Sequence, residues 1–222
     1  SSYTFVINPP NVDRIFLHST GTNDTFKADD VQSDELHGGK LFHFGYPPLM
    51  RNMYSSGGEE LAELLSKVKQ QGLTVSLDMA KPDPDSQAGQ ADWVSILKRA
   101  LPHVDLFLPS FEEILFMLRR EQYEALLRQH QTTDILPYAN GALLASLSEE
   151  LLAMGAAIVG IKLGEHGLYV RTSPDVERLT AMGACSPPDD QLELWAGREL
   201  LAPCYQVNVV GTTGAGDCTI AG

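Results

Sequence analysis

The segment VNVVGTTGAGDCTIAG, residues 207–222, contains the residue types and spacing in this sequence that most clearly suggest chemistry. Glycines and threonines separate an apolar run from a run of small residues, and one acid, Asp217, stands among them. Glycines let the backbone bend so that several N–H groups converge at a helix N-terminus, where the helix dipole adds positive potential. The spacing therefore predicts a site for negative charge with a carboxylate beside it.

A carboxylate next to such a site could accept the proton of an attacking hydroxyl. The backbone of Gly214, Ala215 and Gly216 would then stabilise charge on a phosphoryl group passing from a nucleotide to an alcohol. A simpler interpretation is also available, because an aspartate in the first turn of a helix is favoured by capping and by the helix dipole alone. The residue types by themselves leave both interpretations open.

Other known site patterns do not fit this chain. A P-loop requires a lysine after its second glycine, whereas Asp217 follows Gly216. The dinucleotide fingerprint G-x-G-x-x-G lacks its third glycine, which argues against a nicotinamide dehydrogenase. The sequence has no G-x-S-x-G elbow for a serine hydrolase and no H-E-x-x-H motif or Cys/His cluster for zinc.

Apolar runs alternate with amphipathic segments between Leu41 and Leu163. The order is strand, helix, strand, helix, strand, helix, strand, which predicts an α/β fold with a parallel sheet covered by helices on both faces. The run 168–172 is predicted to be an antiparallel partner of 156–164. Residues 27–39 are predicted to form a short helix, and the run 200–210 a further strand. Ligands of such sheets bind beyond the carboxyl ends of the strands. The candidate positions are therefore Tyr46–Pro48, Asp78, Ser110–Glu113, Lys162–Gly167 and Gly211–Asp217.

The N-terminal region has a different pattern. The strand-like runs 4–7 and 14–18 are joined by NPPNVD, whose proline and asparagine residues predict the turn of a β-hairpin. We therefore expect a small β unit at 1–26 and an α/β body at 27–222. An exposed hairpin edge could pair with a second copy of the chain.

Composition limits the classes of partner and the compartment. The net charge of −13 argues against binding nucleic acid or an anionic lipid surface, and no apolar run approaches the length of a membrane span. The three cysteines include no C-x-x-C pair, which favours reduced thiols and a cytoplasmic location.

TTGAGD followed by small residues resembles the signature of the ribokinase-like (PfkB-type) carbohydrate kinases. GYPP, VSLD, LPSFEE and IKLGEHGLYV resemble further landmarks of that family in the expected order, so the resemblance covers nearly the whole chain. It implies a ribokinase-like parallel-sheet sandwich in which the N-terminal hairpin is a substrate lid. It also implies a kinase that uses ATP and Mg²⁺ to phosphorylate a hydroxyl of a sugar, nucleoside or related small alcohol.

The resemblance also assigns roles to individual residues. Asp217 would be the general base, and Gly214, Ala215 and Gly216 would form the anion hole. Glu113 would act through the metal, and Tyr46 would face the substrate. Asn23 would contact the substrate or the lid, although its residue type also favours a turn, and the sequence leaves both open. The nucleotide would contact Lys162, Gly164, Gly167 and Thr213.

Three positions depart from the family pattern. Ser110 replaces the asparagine of N-x-x-E, Lys162 replaces a threonine of the nucleotide stretch, and Gly211 replaces an aspartate associated with monovalent cations. Relatives also extend beyond both ends of this sequence, so we expect it to lack N- and C-terminal parts of the kinase. Ser110 and Gly211 favour a second hypothesis, a catalytically inactive nucleotide- or sugar-binding protein of the same fold.

Overall fold

The computed structural model describes residues 1–7, 9, 15–206 and 214–221. Six strands form one sheet, and their order across the sheet is the same as their order along the chain. The first four strands pair in parallel, and the fifth pairs antiparallel with both the fourth and the sixth, as predicted for 41–163 and 168–172. The strands are β3 Leu41–Phe44, β4 Thr74–Leu77, β5 Leu106–Phe107, β6 Ile158–Lys162, β7 Leu168–Thr172 and β8 Glu199–Ala202.

Helices follow the parallel strands, which confirms the predicted alternation. The predicted apolar stripe of α2 is buried at Leu61, Leu64, Leu65 and Val68, because residues three and four apart share one helix face. The α-helices of the described residues are α1 Arg51–Tyr54, α2 Glu59–Gln70, α3 Trp93–Ala100, α4 Phe111–Leu118, α5 Arg120–His130, α6 Gly141–Ala153, α7 Val176–Thr180, α8 Leu192–Trp195 and α9 Ala215–Ala221.

Hydrophobic cores lie on both faces of the sheet. Along β6, Val159 belongs to the larger core with residues of α2, α3, α4 and α6, whereas its neighbour Ile158 belongs to a smaller core. The smaller core contains Leu179 of α7 and Leu192 of α8. Successive strand residues point to opposite faces, so this alternation explains why β6 is almost entirely apolar.

A buried charge network ties the sheet to its helices at the start of β5. Asp105 is fully buried and accepts hydrogen bonds from Lys69 Nζ at 2.6 Å and Arg178 Nη1 at 2.9 Å. It also accepts one from the Val75 N–H at 2.8 Å. Two cations and one amide therefore compensate this single buried carboxylate.

The N-terminal residues form the predicted hairpin, a separate antiparallel sheet of β1 Tyr3–Ile7 and β2 Ile15–Ser19. Large apolar side chains on both strands, including Phe5 and Leu17, are more than half exposed. The domain boundary after residue 26 stays a prediction.

Two segments differ from the sequence-based expectation. Residues 27–39 form short 3₁₀ turns at Ala28–Asp30 and Ser33–Leu36, each closed by an acid that bonds back to the amide three residues earlier. The strand expected at 200–210 ends at Ala202, and residues 207–210 lie outside the described part.

The three cysteines, Cys185, Cys204 and Cys218, are free thiols at the surface. Among the helices of the described residues, none combines the length and apolarity that a membrane crossing requires.

Candidate active site

An ion pair connects the carboxyl ends of two parallel strands. Lys162, the last residue of β6, donates from Nζ to Asp78 Oδ1 at 2.6 Å, and Asp78 directly follows β4. The two strands flank β5, and Lys162 also donates its N–H to the Pro109 carbonyl at 2.9 Å, beyond the end of β5. The topology of the sheet therefore places one ammonium at the edge where ligands of such folds bind.

Asp78 caps the loop that follows β4 and also pairs with Lys162. Its Oδ1 accepts a hydrogen bond from the Met79 N–H at 2.8 Å, which caps the following loop, and a second one from Lys162 Nζ. Its side chain is almost fully buried, and within the described residues Oδ2 has no hydrogen-bond partner. A buried carboxylate oxygen without a partner is unfavourable, so this oxygen is suited to a donor or cation supplied by a ligand.

Ser110 and Glu113 form a capping box at the start of α4. Ser110 Oγ accepts from the Glu113 N–H at 3.3 Å, and Glu113 Oε2 accepts from the Ser110 N–H at 2.7 Å. Serine is a good N-cap residue, so the departure from the family's asparagine is compatible with the local structure. Burial raises the pKa of Glu113 to about 7; the nearby Lys162 and the Ser110 backbone oppose the shift, and Asp78 adds to it. The Glu113 carboxyl therefore shares the electrostatic environment of the Lys162–Asp78 pair.

Asp217 is exposed and lies in the first turn of α9. Its Oδ1 accepts a hydrogen bond of 2.6 Å from the hydroxyl of Tyr46, which follows the end of β3. Burial, followed by this hydrogen bond and the charge of Asp217, raises the pKa of the Tyr46 phenol well above its usual value. The predicted acid therefore stands at the same edge of the sheet as the Lys162–Asp78 pair, with its carboxylate open to solvent.

The glycine turn lies between these two groups of side chains. A Cβ built on Gly214 would be 3.9 Å from Asp217 Oδ2, and a Cβ built on Gly216 would be 3.9 Å from Lys162 Nζ. A carboxylate and an ammonium thus contact the same short turn. The predicted residues that the fold brings together are Tyr46, Glu113, Lys162, Gly214, Ala215, Gly216 and Asp217, and Asp78 joins them.

The turn between β6 and β7 contains Gly164 and Gly167, both with positive φ. A Cβ on Gly167 would collide with the carbonyl oxygen of Ala202 in β8, so strand packing alone requires glycine there. An open cleft of about 520 Å³ adjoins this turn. Its lining includes Leu163, His166 and Tyr169, together with Asn140 and Gly141 at the start of α6.

Besides Gly164 and Gly167, two further predicted site residues, Asn23 and Thr213, are not part of this cluster as it is described. Asn23 lies in the 3₁₀ turn Gly21–Thr25, and its Oδ1 accepts from the Ser2 hydroxyl at 2.8 Å, which joins the turn to the hairpin. Its substrate contact stays a prediction. The predicted nucleotide contact of Thr213 lies outside the described residues, as does the Gly211 departure.

The Lys162–Asp78 pair is the feature that the sequence did not predict. Its only signal was that both residues end parallel strands, and the pairing depends on β5 lying between those strands. Within residues 1–206 and 214–221, as far as they are described, no three His, Cys, Asp or Glu side chains form a metal-holding group.

Fold and site together define an α/β protein whose sheet carries an acid, an ammonium and a glycine turn at its carboxyl edge. The model of the pfkB family carbohydrate kinases matches residues 2–222, and the chain belongs to this family. This confirms the resemblance inferred from TTGAGD and the other landmarks.

Individual relatives agree with this assignment. An uncharacterized sugar kinase of Archaeoglobus fulgidus is 24% identical over 209 residues, which cover 94% of this chain and 61% of the relative. Among solved structures, the fructokinase of Xylella fastidiosa with bound ATP has a TM-score of 0.63 at 15% identity. The match covers all of this chain and 55% of the fructokinase chain. The ribokinase of Giardia lamblia has a TM-score of 0.62 at 16% identity, with 99% and 53% covered.

The chain therefore spans 61% of the curated relative and little more than half of these structures. At such low identity the structural matches establish the fold, which is the ribokinase-like sandwich with a separate N-terminal hairpin.

Proposed function

We propose that this chain contributes the catalytic core of an ATP-dependent kinase that phosphorylates a hydroxyl of a sugar, nucleoside or related small alcohol. The observation that carries the proposal is the position of Asp217: an exposed carboxylate beside the glycine turn, at the carboxyl edge of the sheet, in a pfkB family member. Such a group is accessible to a small acceptor and adjacent to the backbone that would hold a phosphoryl group.

In the proposed reaction, the acceptor oxygen attacks the γ-phosphorus of ATP while Asp217 takes the proton of that hydroxyl. The new oxygen–phosphorus bond forms as the bond from the γ-phosphorus to the bridging oxygen breaks, and ADP leaves. Backbone N–H groups of Gly214, Ala215 and Gly216 stabilise the charge on the transferring group. Lys162, whose ammonium contacts the same turn, adds a fixed positive charge.

The nucleotide is proposed to lie along the β6–β7 turn, with Lys162, Gly164, Gly167 and Thr213 at its phosphates. The cleft beside this turn is large enough for a base and is lined by apolar and aromatic side chains. The bound ATP reported for the Xylella fastidiosa fructokinase supports the choice of nucleotide.

Asp78 and Glu113 are the residues proposed to hold Mg²⁺. They fit this ion, because magnesium is usually bound by one or two carboxylates together with substrate phosphates, and Asp78 Oδ2 is a buried oxygen without a partner among the described residues. When bound, Mg²⁺ would neutralise negative charge on the phosphates. The protein would present these two carboxylates and hold the Lys162 ammonium beside both Asp78 and the glycine turn.

A binding protein without catalysis is the second candidate. The observation that favours it is the short hydrogen bond from Lys162 to Asp78. The Lys162 ammonium is already paired with this carboxylate, so it is less available to a phosphate. A protein of this kind would bind nucleotide or sugar at the same edge and release no ADP.

The test is a screen of the full-length protein against sugars and nucleosides, with ADP release as the readout. Asp217→Asn keeps an acceptor for the Tyr46 hydroxyl but cannot take a proton, so turnover should fall by about 10²- to 10⁴-fold while calorimetry still detects ATP binding. Asp190→Asn, an exposed acid in the Asp189–Gln191 turn, is the matched control and should retain full turnover.

Two outcomes would contradict the proposal. Full turnover of Asp217→Asn would remove this residue from the mechanism. ATP binding by the unsubstituted protein without ADP release for any acceptor would select the binding protein instead.

A further inference from the structure

Tyr46 has an unusual backbone for a tyrosine. It is in the left-handed region with φ 62° and ψ 45°, which residues with a Cβ seldom adopt. Its N–H donates to the Asp78 carbonyl at 3.2 Å, and its own carbonyl accepts from the Leu49 N–H at 2.9 Å. Strained conformations persist only where the surroundings enforce them, and they cluster at functional sites. The end of β3 is therefore built to point this phenol in one direction.

That direction leads to one oxygen of the Asp217 carboxylate. The phenol donates to Oδ1 at 2.6 Å, whereas Oδ2 is the oxygen close to the Gly214 side of the turn. A carboxylate held at one oxygen cannot rotate freely, so the other oxygen keeps its place. The two oxygens consequently have different surroundings: a protein donor for Oδ1 and the glycine turn for Oδ2.

Burial and the acids around Tyr46 both disfavour ionisation of its hydroxyl. Burial is the main cause that raises the pKa of this phenol, and the hydrogen bond to Asp217 with the charges of Asp217, Asp78 and Glu113 acts in the same direction. A phenol in such an acidic environment is a lasting hydrogen-bond donor across the working range of pH.

We infer that Tyr46 is a positioning residue: its hydroxyl fixes the Asp217 carboxylate with Oδ2 facing the glycine turn, where the acceptor's proton is taken. The inference rests on the proposed kinase function, and it assigns Tyr46 a role through Asp217 instead of a direct contact with substrate. The left-handed backbone of Tyr46 directs its phenol toward Asp217, and the hydrogen bond restricts rotation of the Asp217 carboxylate.

The test is Tyr46→Phe in the full-length protein, which removes only the hydroxyl. We expect kcat to fall about 10- to 100-fold, as for loss of a hydrogen bond to a charged group, with the KM for ATP unchanged. Tyr123→Phe is the matched control, because its phenol also donates to a carboxylate, Glu112, at 3.0 Å and lies outside the proposed machinery. Thermal unfolding of both variants shows whether either change alters folding.

A double-mutant cycle separates positioning from other roles. If Tyr46 acts through Asp217, adding Tyr46→Phe to Asp217→Asn should cost no further kcat, because the group being positioned is already lost. Unchanged kcat in Tyr46→Phe, additive losses in the cycle, or a rise confined to the acceptor KM would each overturn the inference.

An activity-independent measurement keeps the inference testable if the proposed function fails. Absence of turnover in the unsubstituted protein would count against the kinase proposal alone. Crystal structures of the unsubstituted protein and Tyr46→Phe should then differ in the Asp217 side-chain rotamer. The same ordered rotamer in both would overturn the positioning role.

Discussion

Replacing Lys162 by methionine removes the ammonium while keeping a long apolar side chain. The loss of folding stability depends on the buried Asp78 carboxylate, which then has no cation beside it. The Asp78 side chain is 1% exposed and that of Lys162 is 14% exposed, so the pair is largely shielded from water. Removal of one partner from a buried pair costs about 3–5 kcal/mol. Asp78 keeps the Met79 N–H bond, so we expect a value near the lower end, about 3 kcal/mol.

Thermal and urea unfolding of the full-length protein measure this loss. A protein of about 150–250 residues loses about 2–4 °C per kcal/mol, so the midpoint should fall by at most about 6–12 °C, and by less in a longer chain. Lys69→Met is the internal comparison, because Asp105 retains Arg178 and the Val75 N–H after the substitution. We expect that variant to lose only about 1–2 kcal/mol.

A second substitution identifies the cause. Adding Asp78→Asn to Lys162→Met removes the uncompensated charge and should recover most of the lost stability. The reasoning is refuted if Lys162→Met is as stable as the unsubstituted protein, or if it loses no more stability than Lys69→Met.

Two further predictions concern stability. Burial raises the pKa of Glu113 from 4.5 to about 7. Between these pH values the folded protein holds a proton that the unfolded chain releases, so the free energy of unfolding should fall as the pH rises from about 4.5 to about 7. Glu113→Gln keeps the capping contact and should raise the melting temperature at pH 8 but not at pH 4.5, measured with a chelator present; an equal difference at both pH values would be evidence against this. Gly167→Ala should cost more than about 2 kcal/mol in urea unfolding because its Cβ meets the Ala202 carbonyl, whereas Gly141→Ala, with open space, should be nearly neutral; similar losses for both would contradict the clash.

The sequence predicted the sheet because its signals were local and repeated. Four apolar runs separated by amphipathic helices sufficed for a parallel sheet, and the paired runs around Gly167 sufficed for the antiparallel hairpin. Residues 27–39 were harder, because Asp30 and Glu35 each close a turn on an amide three residues earlier, which yields 3₁₀ turns from a helix-like composition.

The candidate site was predictable as a set of strand ends, but its internal bonds were not. Motif matching identified Asp217, Lys162 and Glu113 one at a time. The Lys162–Asp78 pair depends on the order of strands across the sheet, and the bond from Tyr46 to Asp217 depends on a left-handed backbone that no residue-type preference favours at a tyrosine. Such contacts arise from tertiary structure, which spacing along the chain does not encode.

The strands β3 to β8 are neighbours in space in the order in which they are synthesised. A nascent chain can therefore extend this sheet at one edge, strand by strand, without leaving a gap to be filled later. Tyr46, Asp78, Glu113 and Lys162 leave the ribosome well before Asp217 does. During synthesis the growing protein would thus acquire Tyr46 and Lys162 first, and the carboxylate of Asp217 only after the scaffold around it has assembled.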